Sequence, residues 1–424
     1  MTRKTTASVS KSLSPPGAFR NFAQRPVRFP PLPILDSTDV EINTEIKILC
    51  CCSLILIQAD RLQRLLQHQI DWDHLVALAQ KHRLTALLYH HLKNAASGAV
   101  SAGTLKQLEN QFHFNLAGNV ILAREMVAIL ASFHASRIKV LPLKGIPAAA
   151  GIYGSLALRS TGDLDLLIHR RDLASAKAVL EARGFQPCEG DTGATSPSTL
   201  LELHLYRPAD KILVELRWRI TPSYFSGSLD LDYLSEYIQP LQLMETEVPS
   251  LPPEELLLTL CIHGSKHQWE RLMWVCDVAE VVRAHPGLDW DRVARHAARL
   301  GVTRAIVCGL LVARATLDVP LPDAVLNSFR AGKSVHLAAG QACHELFIDQ
   351  PNRHSLRYHL RLMERRGDQF RYLLRIARSK LRQLRPNEQD RDFLPLPKAL
   401  DFLYFLVRPA RLLVQYGVAP IVRK

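Results

Sequence analysis

The chain is 424 residues long, with 47% hydrophobic and 22% charged residues and a formal net charge of +13 at pH 7. That length allows two or three domains of ordinary size, and the composition is that of a soluble globular protein, not a disordered or fibrous one. The longest apolar run near the start, Ile48 to Ile57, is about half of what a membrane span needs, so it reads as a buried helix.

Residues 1–38 form the first segment. The opening 35 residues hold six basic residues and no acid among many Ser, Pro and Thr, which predicts a disordered basic tail; a transit peptide has a similar composition. Residues 39–137 read as a helical region. Ile57, Leu62, Leu65, Leu66 and Ile70 recur at turn spacing, and Asp71 or Asp73 is placed to cap a helix through Leu75, Leu78 and Ala79. Three to five helices are expected there, and no chemistry. The eight cysteines, Cys50 to Cys52 among them, contain no C-x-x-C pair. They read as free thiols of a reducing cytoplasm, with a peripheral membrane contact left open.

Between residues 138 and 222 the pattern changes to an α/β unit of about 85 residues. Ile138 to Leu143 is a β-branched run that stops at Lys144–Gly145, and a short helix follows from Pro147. Asp163 to Ile168 alternates acid and aliphatic residues as a strand. Asp172 is placed to cap the next helix and Gly184 to end it. Leu201 to Tyr206 and Ile212 to Ile220 read as two strands joined by the turn Pro208 to Lys211. Residues 223–424 read as a C-terminal helical domain.

The acids carry the chemistry. Strand side chains alternate faces, so Asp163 and Asp165 share one, with Leu164, Leu166 and Ile168 on the other. Two carboxylates so placed can hold a pair of hard cations about 4 Å apart, or bridge one. A bare D-x-D is also consistent with a solvated strand face. On the later hairpin, Glu215 faces the same way as Arg217, while Glu202 and His204 share a face of the preceding strand; periodicity alone does not separate Glu215 from Glu202 as the third acid. Lys144–Gly145 lies at a strand-to-helix junction, a setting that favours phosphate. Arg159 either neutralises phosphate or pairs with an acid.

The run Leu143-Lys-Gly145, Tyr153, Arg159, Gly162-Asp-Leu-Asp-Leu-Leu167 and Gly184-Phe185 resembles the uncharacterised nucleotidyltransferase family, within the DNA polymerase β-like superfamily. The likeness extends through Val214-Glu-Leu-Arg-Trp218 to His263-Gly-Ser-Lys-His267, Trp269, Arg271-Leu272 and Asp277. It implies an α+β fold, a small polymerase β-like mixed-sheet domain flanked by N- and C-terminal helical domains. It further implies transfer of a nucleoside monophosphate from an NTP to an acceptor by a two-metal mechanism. Asp163, Asp165 and Glu215 would hold two Mg²⁺ ions, with Mn²⁺ as the alternative. Lys144, Gly145, Arg159, His263, Lys266 and His267 would contact the nucleotide. The superfamily's usual Gly-Ser is Lys144–Gly145 here, and its frequent His after the third acid is replaced by Arg217. The competing class is a nucleotide-binding or scaffolding module without turnover.

The remaining candidates have plainer alternatives. His263 and His267, four apart on a helix, are nucleotide contacts, structural histidines or metal ligands. Asp277 is placed to pair with one of them or with Arg271. Trp269 and Trp274 read as core residues. From Arg353 to Arg385 eleven Arg or Lys face two acids. There Phe370, Leu373, Leu374, Ala377, Leu381 and Leu384 form an apolar stripe, with Arg371, Arg375, Arg378, Arg382 and Arg385 beside it. Either the stripe packs on the protein, or the helix meets an anionic membrane or RNA.

Overall fold

In the computed structural model, residues 43–95, 98–188, 201–322, 332–348, 355–383 and 388–397 are described, with scattered positions from 400 to 411. The expected basic tail lies outside them. Among the described residues five helices precede the first strand: α1 (Thr44–Cys51), α2 (Ala59–Leu65), α3 (Trp72–Lys81), α4 (Thr85–Ala95) and α5 (Ala102–Ala135). Asp71 caps α3, its carboxylate accepting from the His74 amide at 2.9 Å. The apolar run Ile48 to Ile57 does not make one helix, because α1 ends at Cys51 and the chain turns. All eight cysteines are free.

A mixed sheet follows. Its strands are β1 (Val140–Pro142), β2 (Leu164–Ile168), β3 (Gln186–Pro187), β4 (Glu202–Arg207) and β5 (Ile212–Arg217), in the spatial order β1-β2-β5-β4-β3. The β2–β5 pair is parallel and the others are antiparallel. Helix α6 (Ile146–Gly151) joins β1 to β2, and α7 (Leu173–Ala182) follows β2. Gly184 ends α7 at φ 86° as expected. Asp172 does not cap it: a 3-10 turn over Arg170–Asp172 leads into the helix, and the Asp172 side chain makes no capping bond.

The alternation along β2 separates two cores. Leu164, Leu166 and Ile168, with Val214 and Leu216, pack against Ile129 and Phe133 of α5 and Ala176 and Leu180 of α7. On the other face Leu141, Leu143 and Leu167 join a larger core built from helices of both chain ends. Those C-terminal helices begin with α8 (Leu231–Leu234), α9 (Pro253–Lys266), α10 (Leu272–Ala284), α11 (Trp290–Leu300) and α12 (Thr303–Leu317). They continue with α13 (Lys333–Leu346), α14 (Leu356–Leu362), α15 (Arg366–Gln383) and α16 (Glu388–Phe393). Helix α5 is long and apolar enough to cross a membrane. Here it spans both cores, and its Glu125 pairs with Arg183 at 2.7 Å and Arg207 at 2.8 Å.

Two features differ from the sequence-based expectation. The segment assigned to a C-terminal helical domain from residue 223 carries a hairpin near its start, β6 (Gln239–Leu243) with β7 (Thr246–Ser250), whose Leu243 and Val248 join the sheet's core. In addition, the described part of the apolar stripe on α15, Phe370 to Ala377, faces outward. Phe370 is 67% exposed and Leu373 and Leu374 are exposed, while Tyr372 packs edge-on against Tyr224. Arg371 donates to the Tyr224 carbonyl at 3.1 Å and pairs with Asp368, and Arg375 donates to the Ser223 hydroxyl at 2.8 Å. Hydrogen-bond acceptors around residues 223–226 thus claim the arginine side. The Arg382 side chain and Arg385 lie outside the described residues.

Candidate active site

The sheet register assembles the acids. Parallel pairing sets Asp165 opposite Glu215, and the antiparallel β4–β5 pair sets Glu215 opposite His204. One row across three strands therefore points to the same face. Asp163 precedes β2 by one residue and shares that face. Ligand oxygens of Asp163, Asp165 and Glu215 all lie within 4.8 Å of one another. Glu202 is one row along, opposite Arg217, outside this cluster. The Asp165 side chain is 1% exposed and that of Asp163 25%.

Buried acids this close repel each other unless cations intervene, and two do. Lys144 pairs with Asp165 and lies 4.0 Å from Asp163. Arg217 spends its planar fork on three acids: Nε donates to Asp165 at 2.8 Å, and the two terminal nitrogens pair with Glu202 and Glu215. Burial alone would raise the Asp165 carboxyl, but Lys144 and Arg217 hold it well below its ordinary value. Burial raises Asp163; Lys144 only partly offsets this, and neighbouring Asp165 reinforces it. Burial opposes the Lys144 ammonium too, yet Asp165 and Asp163 keep it above its ordinary pKa.

Gly145, next to Lys144, caps α6 at φ 78°, where a Cβ would meet the Thr161 methyl at 3.0 Å. Helix α6 is only six residues long, so the charge at this junction comes from Lys144 more than from a helix dipole. Arg159 is buried and bidentate on Asp277, at 2.8 and 2.7 Å. Tyr153 donates to the same carboxylate at 3.0 Å. Asp277 therefore pairs with Arg159 and Tyr153, and not with His263, His267 or Arg271, the partners its place in the sequence had offered. A guanidinium that matches both oxygens captures it. Asn119 of α5 donates to the Leu156 and Arg159 carbonyls at 2.6 Å, fixing the loop that delivers Asp163.

Helix α9 closes the opposite wall. Lys266 lies 3.4 Å from Glu202, and His204 lies 3.5 Å from Glu215. The His263 and His267 rings sit 4.8 Å apart, both against Trp274. Burial depresses both histidines, His267 to about 3, so the rings are neutral. Trp269 is fully buried, whereas Trp274 lines the cleft. Sequence reasoning missed Arg83, which reaches the cleft from the supposedly inert α3–α4 junction, and gave Arg271 no contact of its own there. Only a left-handed φ of 59° distinguishes Arg83, and sequence does not display that.

The result is a cleft of about 320 Å³ with acids at its floor and cations around them. All the clustered ligand atoms are carboxylate oxygens, the donor set that a hard divalent cation such as Mg²⁺ or Mn²⁺ prefers. The site fits such an ion.

A sequence model of the family described as "Uncharacterised nucleotidyltransferase" matches residues 68–318, from just before α3 to just beyond α12. Among solved structures, the chain is similar to an antigenic nucleotidyltransferase-like protein from Paracoccidioides brasiliensis. The identity is 16% over 50% of this chain and 96% of that one, with a TM-score of 0.26. No curated protein matches the sequence.

Proposed function

Because the chain belongs to the uncharacterised nucleotidyltransferase family, we propose that it transfers a nucleoside monophosphate from an NTP to a nucleophilic acceptor. The observation that carries this reading is the meeting of Asp163, Asp165 and Glu215 within 4.8 Å on one face of the sheet. A module that only bound nucleotide would have little use for three acids so close, since their mutual repulsion must be offset by Lys144 and Arg217.

In the proposed reaction the acceptor oxygen forms a bond to the α-phosphorus, and the bond to the bridging oxygen of the leaving pyrophosphate breaks. Asp163, Asp165 and Glu215 would hold divalent ions, Mg²⁺ or Mn²⁺, two of them by analogy with the motif. Such ions supply positive charge to the α-phosphate and the departing pyrophosphate. Glu215, the acid nearest the partly exposed His204, takes the acceptor proton. Lys144 and Arg217 hold Asp165 ionised, and the Arg159–Asp277 pair holds the loop before β2. His263, Lys266 and His267 face the nucleotide from α9. A cytoplasmic setting suits this chemistry, where NTPs and free thiols coexist. The exposed apolar stripe of α15 favours a second contact, with an anionic membrane in preference to RNA.

The test incubates the full-length protein with each labelled NTP, Mg²⁺ or Mn²⁺ and a host lysate, then repeats it with Asp163→Asn and Asp165→Asn. The amide keeps shape and loses charge, so transfer should fall by about 10²–10³-fold or more in each variant. Wild-type activity in both would sink the catalytic reading.

A further inference from the structure

Most cations around the acids have a carboxylate partner. Lys144 pairs with Asp165, Arg159 with Asp277, Arg217 with three acids, and Lys266 with Glu202. Two do not fit this pattern. Among the described residues Arg83 makes no ion pair and its guanidinium donates no hydrogen bond. Among the same residues Arg271 has one long ion pair, with Glu270 at 3.9 Å, and lies over the Trp274 ring at 5.9 Å. Both line the same cleft as the acids.

Their placement is enforced. His82, beside Arg83, accepts the Leu272 amide at 3.2 Å, which ties the α3–α4 junction to the start of α10, where Arg271 sits. Arg83 holds a left-handed φ of 59°, and the Leu84 amide closes the turn onto the Ala79 carbonyl at 2.7 Å. A bulky residue in that conformation stores strain that surroundings must offset, and such strain concentrates at functional positions. The Arg83 guanidinium lies over Gly162, where a Cβ would stand 3.4 Å from its Nη1. Gly162 directly precedes Asp163. Burial and then the charge of Arg271 lower the Arg83 pKa, and Asp163 only partly offsets them.

Two guanidinium groups lining one cleft, one of them half-buried and neither held by a close carboxylate, describe a site for a multiply charged anion. Resting on the nucleotidyltransferase reading, we propose that Arg83 and Arg271 form the clamp for the terminal phosphates of the NTP, the part that leaves as pyrophosphate. The α-phosphate lies at the acids, and the chain of phosphates runs past Gly162 toward the α3–α4 and α9–α10 junctions. Arginine suits this task because its fork meets two phosphate oxygens at once. The helical region before the sheet thereby contributes to substrate selection, distinguishing a triphosphate from a monophosphate.

The experiment measures binding by calorimetry to wild type, Arg83→Ala, Arg271→Ala and the double variant, with Mg²⁺ present. The probes are ATP, GTP, CTP and UTP, the matching monophosphates, and inorganic tripolyphosphate. Each single variant should bind the NTP and tripolyphosphate about tenfold more weakly, and the double about a hundredfold, with the monophosphate changed less than about twofold. If an alanine variant does not fold, Arg83→Lys and Arg271→Lys keep the charge but lose the fork, and should weaken NTP binding several-fold. Wild type that binds NTP, with variants that still prefer it to the monophosphate by the same ratio, overturns the clamp and leaves the activity standing. Wild type that binds neither NTP nor tripolyphosphate overturns the activity and the clamp together.

Discussion

At the scale of single residues, the interior charges decide what the site tolerates. His82 illustrates this away from the acids. Its Nδ1 accepts the Leu272 amide and so carries no proton, while its Nε2 is buried without a partner. Burial, then the charges of Lys81 and Arg271, depress its pKa to about 4. An unfolded chain protonates this ring below about pH 6.5, whereas the folded one resists until about 4. The stability His82 contributes is therefore complete above about pH 6.5 and is lost as pH falls toward 4. The loss is about 2–3 kcal/mol by pH 4.5. His82→Asn keeps an acceptor for the Leu272 amide and cannot titrate. Chemical unfolding followed by tryptophan fluorescence at pH 7 and pH 4.5 should show a smaller drop in the variant by about that amount. Equal drops would mean that protonation of His82 is not resisted in the folded state.

At the scale of elements, the α9–α10 corner shows how closely the cleft wall is packed. Gln268 and Trp269 both take left-handed φ, 53° and 58°, which folds the Trp269 ring back onto α9. A Cβ on Gly264 would collide with that fully buried ring. Gly264→Ala should therefore cost about 1–3 kcal/mol from overpacking, despite Ala's advantage of about 1 kcal/mol in a helix. It should also lower transfer, because His263 and Lys266 flank the same turn. A melting temperature equal to or above wild type would contradict this packing. The motif around Gly264 was visible in the sequence, and so was the acid-aliphatic alternation of β2, because a period of two needs no long-range information. Hairpin β6–β7 was not visible, since Pro240 and Pro249 stand directly opposite each other in it. Proline argues against a central strand, and a two-stranded ribbon accommodates it because each of its strands is an edge. The Arg159–Asp277 pair was equally hidden. Its partners lie 118 residues apart, and spacing within one helix suggested Arg271 instead.

At the scale of the whole molecule, helices from both chain ends share one core against the site-bearing face of the sheet, so residues from all three regions reach the cleft. Helix α15 touches that core through Tyr372 and turns the described part of its apolar stripe away from it. Amphipathic spacing left its role open, because periodicity identifies an apolar stripe without saying what covers it. Phe370, Leu373 and Leu374 face solvent, and Arg378 is exposed on the next turn. The segment from Arg353 to Arg385 carries nine more bases than acids. An RNA surface would engage the bases and leave the aliphatic stripe idle, whereas the headgroup region of an anionic bilayer engages both. The full-length protein should therefore sediment with vesicles containing anionic phospholipid at low salt and much less with neutral ones. Burying Phe370 and Leu373 is worth about 2 kcal/mol each, so Phe370→Ser combined with Leu373→Ser should weaken the association by about a hundredfold or more. Both side chains are exposed, so the double variant should melt near the wild-type temperature. Arg371→Gln with Arg375→Gln behaves differently, lowering the melting temperature because both arginines tie α15 to residues 223 and 224. No vesicle binding by wild type at low salt would remove the membrane reading. RNA binding that survives loss of the apolar pair would assign the basic segment to nucleic acid.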